Sequence, residues 1–492
     1  MHQIKSFKQA HSTLERSNQI SATAGTSEES RTANDVHSKL NRTVHREIVR
    51  ISSGKQVQKL LTADEYAGCS FSIAGGRHSM GGQQFLFDGI LLDTSAFNKV
   101  LEFEPARGLI TVQAGILWGD LVAALKDLNE RHATSWSIVQ KPTGADDISV
   151  GGSLASNIHG RVLGRKPFIA DIECFTVILS DGLRVKVSRE ENQELFSLAV
   201  GGYGVFCFVE NITIRLTRST KLRRSVEFTS SINLIDRFRQ LQAQGAAYGD
   251  FQFCIDSSAE TFLSNGILSA YFPFRENDIE NNNVHLELNE RKWRELLRLA
   301  HIDKAEAFKM YSDHYKRTDG QVYSSETFQL SLYVPDYHDG MQGDCRVKAS
   351  EMITELYVPK DRLHEFLDTA KGCLQKQCAD VIYGTVRLIE KDSESFLAWA
   401  RDDFACIIFN LHVEHDQLSL LRAKHSFRTL IEIALSMGGS YYLTYHRYAT
   451  KRQLLAAYPQ FKKFIRKKTE YDPQGRFRST WFNHMCLSLE SG

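Results

Sequence analysis

The chain has 492 residues, room for two to four domains at roughly 100–200 residues each. Hydrophobic residues make up 42% and charged residues 24%, which excludes disorder over most of the length. Lys and Arg total 60 against 59 Asp and Glu, a net charge of +1; a generic nucleic-acid or acidic-membrane binder is more basic than this.

In chain order, residues 1–8 lack the apolar stretch of a signal peptide. Residues 9–34 are poor in large apolar groups and read as part of a mobile tail over 1–39. From 46 to 217 short apolar runs at 71–74, 89–93, 109–114, 175–179 and 205–216 read as strands, and 57–61 and 117–129 as helices. Between 225 and 450 longer strands (251–254, 267–274, 329–334, 352–358, 405–413) alternate with amphipathic helices (288–300, 360–374, 418–435). The polar stretches 275–288 and 312–328 read as loops, the second a candidate lid, and 453–468 as one basic helix. The longest apolar runs, such as 405–411, are too short to span a bilayer. The nine cysteines are odd in number and never at CxxC spacing, which reads as reduced thiols in a cytoplasmic protein without structural zinc.

Three glycine-rich loops lie at predicted strand ends: Ser72-Ile-Ala-Gly-Gly-Arg-His-Ser-Met-Gly-Gly-Gln83 after a strand, a second from Gly144 to Gly160, and Val200-Gly-Gly-Tyr-Gly-Val205 before one. Glycines let backbone N–H groups approach an anion closely. None of the loops has the GxGxxG fingerprint or a Walker lysine, which disfavours a nicotinamide dinucleotide or ATP on a standard fold. Three in order favour a large anionic cofactor.

The block from Ile48 to Arg215 resembles the FAD-binding domain of the vanillyl-alcohol oxidase/p-cresol methylhydroxylase (PCMH-type) superfamily. Ala74-Gly-Gly-Arg-His-Ser-Met-Gly-Gly-Gln83 resembles the pyrophosphate loop of cytokinin dehydrogenases and sugar-alcohol or sugar-lactone oxidases. Val150-Gly-Gly-Ser-Leu-Ala-Ser-Asn-Ile-His-Gly160 resembles the second loop of decaprenylphosphoryl-ribose oxidases, and 195–204 fits the third loop. Tyr471-Asp-Pro-Gln-Gly-Arg-Phe477 and Phe482-Asn-His-Met485 resemble the closing motif. The resemblance implies an α+β, two-domain fold: an FAD-binding domain over 40–220, an antiparallel-sheet substrate cap over 221–450, and a segment 451–492 returning to the first domain.

It also implies FAD contacts at Gly75, Gly76, Arg77, His78, Ser79, Met80 and Gln83, then at Gly144, Ala145, Gly151, Gly152, Ser156, Asn157, His159 and Gly160. The third loop and the tail add Gly201, Gly202, Tyr203, Gly204 and Asn483. His78 either carries the flavin covalently, the favoured reading, or only contacts a phosphate. A second link through cysteine is excluded, since no cysteine lies between Cys69 and Cys174. His159 either faces flavin and substrate or packs beneath the cofactor.

A flavin that oxidises an alcohol needs a base for the hydroxyl proton. In 352–359 alternation puts Ile353, Glu355 and Tyr357 on one face, and a carboxylate in an apolar strand is costly unless paired. Arg387, in Gly384-Thr-Val-Arg-Leu388, either binds a substrate oxygen or pairs with Glu355. In 405–414 the face Cys406, Ile408, Asn410, His412 and Glu414 either lines the pocket or meets solvent. In 438–448, read as a strand, Tyr445 stands where related oxidases carry a lysine, with His446 beside it. The catalytic candidates are therefore Tyr445, His446, Glu355, Arg387 and His159. The expected activity is FAD-dependent oxidation of a CH–OH group in a small sugar, polyol or sugar-lactone, with O₂ or another electron acceptor and no nucleic-acid partner. The alternatives are a tailoring oxidase acting on C–N or ring-closing substrates, and a flavin-binding partner subunit without turnover.

Overall fold

The computed structural model describes residues 27–274, 285–331, 334 and 347–490. A small parallel sheet places Ile90–Asp93 between Glu47–Arg50 and Phe71–Ala74. Parallel strands need a crossover, and the helix Gly54–Thr62 supplies it, capped by Ser53 Oγ accepting from Gln56 N at 3.3 Å. The first glycine loop leaves the end of Phe71–Ala74. A six-stranded antiparallel sheet is built around Phe208–Arg218, which pairs with Ile172–Ile178, Leu109–Gln113 and Trp136–Ile138. The helix Trp118–His132 buries Trp118, Leu121, Val122 and Leu125, the stripe its helical spacing predicts.

The third sheet has eight strands, in the order Val322–Ser324, Lys221–Ser230, Asn265–Pro273, Tyr248–Phe253, Val381–Ile389, Phe404–Glu414, Ala349–Pro359, Ser440–Tyr441. Its register separates two faces. Leu268, Phe251, Val386, Ile407 and Leu356 lie opposite one another on an apolar face, beside which the helices Leu363–Lys376 and Gln417–Ser436 pack. The alternate positions Ser269, Asp250, Arg387, Cys406 and Tyr357 share the other face, with Gln252, Thr385 and Glu355 one step along. All eight of these side chains are buried. A buried polar face is expensive unless something pairs with it. Loops from the first half of the chain do so: Arg161 lies 3.5 Å from Asp250, Thr143 bonds Arg387, and His159 lies 2.7 Å from Glu355.

The chain then returns. Phe71 N–H donates to Arg476 O at 2.6 Å, and Arg478 N–H to Phe71 O at 2.9 Å. Trp481 packs against Tyr203 with ring centres 4.7 Å apart.

Several sequence expectations are corrected. Residues 27–39, assigned to the tail, are packed: Thr32–Ala33 pairs with Thr43–Val44, and Ser350 Oγ donates to Ser38 O at 2.7 Å. Residues 1–26 lie outside the described residues. The stretch 312–328 is not all loop, because the helix Lys304–Arg317, capped by Asp303, runs into it and the strand Val322–Ser324 follows. The helix expected over 453–468 is two, Lys451–Ala457 and Phe461–Tyr471, divided at Pro459, which has no N–H to continue the ladder. In 329–334 no described residue is in a strand, and Leu332 and Tyr333 lie outside the described residues, as do 275–284 of the loop expected over 275–288. Of 438–448 only Ser440–Tyr441 is strand; Leu443 O and Thr444 O instead accept from Gln83 Nε2 at 2.7 Å and Met80 N at 3.1 Å of the first glycine loop. Among the described residues no helix is long and apolar enough to cross a membrane.

Candidate functional site: three glycine loops facing a buried carboxylate

The first loop is clamped between the second loop and the cap sheet. A Cβ on Gly75 would collide with Ser149 Oγ, and one on Gly76 with the Asp147 carbonyl, so glycine here serves loop-to-loop contact. On the cap side, Ser79 Oγ lies 3.1 Å from Thr444 Oγ1, while Met80 and Gln83 are buried. The N–H groups of Gly76, Arg77 and Ser79 make no hydrogen bond among the described residues. Free loop donors of this kind suit an anion such as a pyrophosphate. Arg77 is exposed, and His78 is nearly enclosed, with Nε2 3.1 Å from Asp147 Oδ1.

The second loop holds Gly144 and Ala145, whose carbonyl accepts from the fully buried Lys141 Nζ at 3.2 Å. It continues into the short helix Val150–Ser156, which carries Gly151, Gly152 and Ser156. Asn157 ends that helix and is fully used, donating to Asp392 Oδ2 at 2.9 Å and accepting from Ile169 N at 2.9 Å and Trp399 Nε1 at 3.0 Å. The third loop docks on the second: Gly201 N donates to Leu154 O at 3.0 Å and Tyr203 N to Ala155 O at 2.8 Å, with Gly202 and Gly204 alongside. Each loop also holds one non-glycine residue in the left-handed region: Arg77 at φ 60°, Asn157 at 51° and Tyr203 at 55°. Such strain clusters where a site over-determines the backbone. From the tail, Asn483 Oδ1 and Trp481 Nε1 are buried with no partner among the described residues. Orphaned polar atoms, unpaired loop N–H groups and interlocked glycines together fit FAD.

Glu355 is the hub of the cap side. Its Oε1 lies 2.7 Å from His159 Nε2, 3.4 Å from Cys406 Sγ, and accepts the Tyr357 hydroxyl; its Oε2 accepts from Tyr445 OH at 3.2 Å. Glu355 and His159 are 2% and 5% exposed, so water does not screen the pair. His159 Nδ1 is 3.0 Å from Gly160 O, which can only accept. Both imidazole nitrogens therefore face acceptors. Burial pushes the Glu355 carboxyl up, but His159, Tyr357 and Arg387 outweigh it and hold it below its ordinary value. The Trp399 ring backs the cluster, 4.4 Å from Tyr357 and 5.3 Å from His159. Arg387 bonds Thr143 rather than Glu355, and its Nε has no partner among the described residues.

His446 is not in this group. Its ring stacks on Phe427 at 4.4 Å with planes 3° apart, and Nε2 lies 3.2 Å from Thr354 Oγ1 on the apolar side of the sheet. Burial pushes it down from 6.5 to about 3, so it is neutral when folded. Its folded value lies below its unfolded one, so the unfolded chain binds the extra proton and stability falls as pH drops below 6.5. His446→Gln should therefore remove about 2 kcal/mol of the stability lost between about pH 7.5 and about pH 5. Urea unfolding at both pH values checks this, and an unchanged difference refutes it.

Of the polar face foreseen in 405–414, Cys406 and Ile408 meet Tyr357 and Glu355, whereas Asn410 bonds Glu351 at 2.9 Å and His412 sits by His301 at 4.7 Å. Sequence reasoning missed Lys141, Arg161 and Trp399, which carry no local signal, and His37, which lies in the presumed tail yet reaches His78 at 2.8 Å.

Residues 46–188 match the FAD binding domain family, and 274–485 match the D-arabinono-1,4-lactone oxidase family. An uncharacterized oxidoreductase of the fasciation locus of Rhodococcoides fascians is 31% identical over 33% of this chain and 35% of its own length. Cytokinin dehydrogenase 2 of Arabidopsis thaliana is 27% identical over 45% of this chain and 43% of its own. L-gulonolactone oxidase of Mus musculus is 23% identical over 32% and 34%. The chain thus spans less than half the length of each of these relatives. An FAD-binding domain thus precedes a second half that matches the D-arabinono-1,4-lactone oxidase family, an order consistent with the PCMH-type FAD oxidoreductase superfamily.

Proposed function

We propose that the protein is an FAD-dependent oxidoreductase that oxidises a CH–OH group of a sugar, polyol or sugar-lactone. The observation that carries this reading is the buried Glu355, paired to His159 of the second glycine loop and to Tyr445 of the cap. When bound, FAD supplies a two-electron acceptor for the hydride leaving the alcohol carbon. The chain supplies the rest. Tyr445, only partly buried, is the outermost member of the cluster and receives the substrate hydroxyl proton, passing its own to Glu355 Oε2. His159, 2.7 Å away, helps hold the Glu355 carboxyl below its ordinary value. Arg387 Nε, Gln252 Oε1 and Ser269 Oγ, buried on the same sheet face without partners among the described residues, offer one donor and two oxygens to a polyhydroxylated substrate. His78 is the attachment point for the flavin.

We divide the chain at 40–220 for the flavin domain, 221–450 for the cap and 451–492 for the returning segment. A cytoplasmic setting is supported by the free thiols of the described cysteines.

Purified protein should show the absorbance spectrum of an oxidised flavin, and one of a panel of polyols, sugars and lactones should bleach it without oxygen. The panel includes a cytokinin, because some relatives are named cytokinin dehydrogenases. Colourless protein that FAD does not restore would sink the reading, and bleaching by the cytokinin alone would replace its substrate class.

A further inference from the structure

His78 has two partners that the Glu355 cluster does not use. Its Nε2 lies 3.1 Å from Asp147 Oδ1, and its Nδ1 lies 2.8 Å from His37 Nε2. They arrive from separate segments, Asp147 from the second glycine loop and His37 from the strap formed by residues 27–39. Gly76 permits the approach of the second loop: a Cβ there would strike the Asp147 carbonyl and crowd His78 Cδ2 at 3.0 Å. The strap is fastened on both sides of His37. Val36 N donates to Arg77 O at 3.1 Å, Ser38 O accepts from Ser350 Oγ at 2.7 Å, and Asn41 Nδ2 donates to Met80 O at 2.7 Å.

Proton positions follow from the partners. Burial raises the Asp147 carboxyl, but His78 outweighs it and holds it below its ordinary value, so it is an anion that only accepts. The facing Nε2 is then the N–H side of the His78 ring, and Nδ1 keeps its in-plane lone pair. Burial pushes His37 down to about 3, so it is neutral and donates its Nε2–H to that lone pair. A carboxylate fixing an imidazole tautomer so that the opposite nitrogen is reactive is the arrangement found in hydrolase triads.

We propose that Asp147 and His37 are positioning residues for covalent attachment of the flavin at His78 Nδ1. The proposal rests on the FAD reading above and deepens its account of His78. In the attachment, one C–H bond of the flavin 8α-methyl breaks and one Nδ1–C bond forms. Two electrons pass into the flavin ring and from it to dioxygen, which leaves as hydrogen peroxide. Of the two protons released, one comes from the methyl and one from His78 Nε2 by way of Asp147, and both end in the peroxide. His37 fixes the direction of the lone pair until the methyl carbon takes its place.

The test uses full-length protein from riboflavin-limited cells, incubated with FAD in air. Flavin remaining with acid-precipitated protein is followed in time, bound FAD is measured separately, and the linked peptide is examined by NMR for the nitrogen used. The wild type is expected to link through Nδ1. Asp147→Asn is expected to bind FAD as the wild type does, to link roughly 10²-fold more slowly, and to yield some Nε2-linked product because the tautomer is no longer fixed. His37→Ala is expected to slow linkage while keeping the Nδ1 product. Asp147→Asn and His37→Ala proteins that both link at the wild-type rate, and only through Nδ1, would overturn the proposal. Wild-type protein that binds FAD but never links it overturns it too, leaving the FAD reading intact. Failure to bind FAD at all sinks both.

Discussion

Glu355→Gln is expected to slow anaerobic flavin reduction by roughly 10²–10⁴-fold, the usual contribution of a general base. The substitution keeps size and leaves an oxygen to accept the Tyr357 hydroxyl, but it removes the charge that accepts the substrate proton. The glycine loops do not depend on that charge, so FAD should stay bound. Reoxidation of the reduced flavin should change by no more than a few-fold, because the substrate proton plays no part in it. Tyr445→Phe removes a single hydroxyl, 3.2 Å from Glu355 Oε2, and should slow the same half-reaction with less risk to packing. His446→Gln should leave it near the wild-type rate, since that ring lies against Phe427 on the far side of the sheet. If both Glu355→Gln and Tyr445→Phe reduce flavin at the wild-type rate, the proton-transfer assignment fails.

How much of this was legible in the sequence depends on the range of the interactions. Alternation along one strand is local, so it placed Glu355 and Tyr357 on one face, and the structure keeps them there. Cys406 and Ile408 were separated from Ile407 and Phe409 on the same basis. The glycine loops were visible because glycine clusters are rare and the loop order is distinctive. What joins Glu355 to His159 spans 196 positions and has no local trace. The same alternation argument misled in 438–448, where an aromatic-rich run reads as a strand by propensity. There the carbonyls of Leu443 and Thr444 are taken by the first glycine loop, and tertiary bonding overrides the pattern. Once the chain leaves the sheet after Tyr441, Tyr445 and His446 part company. The tail was misjudged because its composition is polar, yet Asp35 supplies internal bonds to Ser38 and Asn41 that replace an apolar core.

The closing motif Tyr471-Asp-Pro-Gln-Gly-Arg-Phe477 carries the second large effect. Asp472 is 2% exposed and accepts from Arg476 N and Phe477 N, both at 2.8 Å, and from Lys468 Nζ one helical turn earlier. Burial pushes the Lys468 ammonium down, and Asp472 opposes that shift. Asp472→Asn therefore leaves a buried cation without its anion, which costs about 3–5 kcal/mol. The damage reaches the cofactor side, because Phe477 is fully buried and bridges to Phe71, the first residue of the strand that ends at the first glycine loop. Urea unfolding at neutral pH should show that loss. Lys468→Met combined with Asp472→Asn should recover part of it, since the unpaired buried cation is gone while the Asn amide has one oxygen for the two backbone N–H groups that Asp472 accepts. A single Asp472→Asn that costs less than about 1 kcal/mol, the range of an exposed pair, would show that the returning segment is not held by this carboxylate.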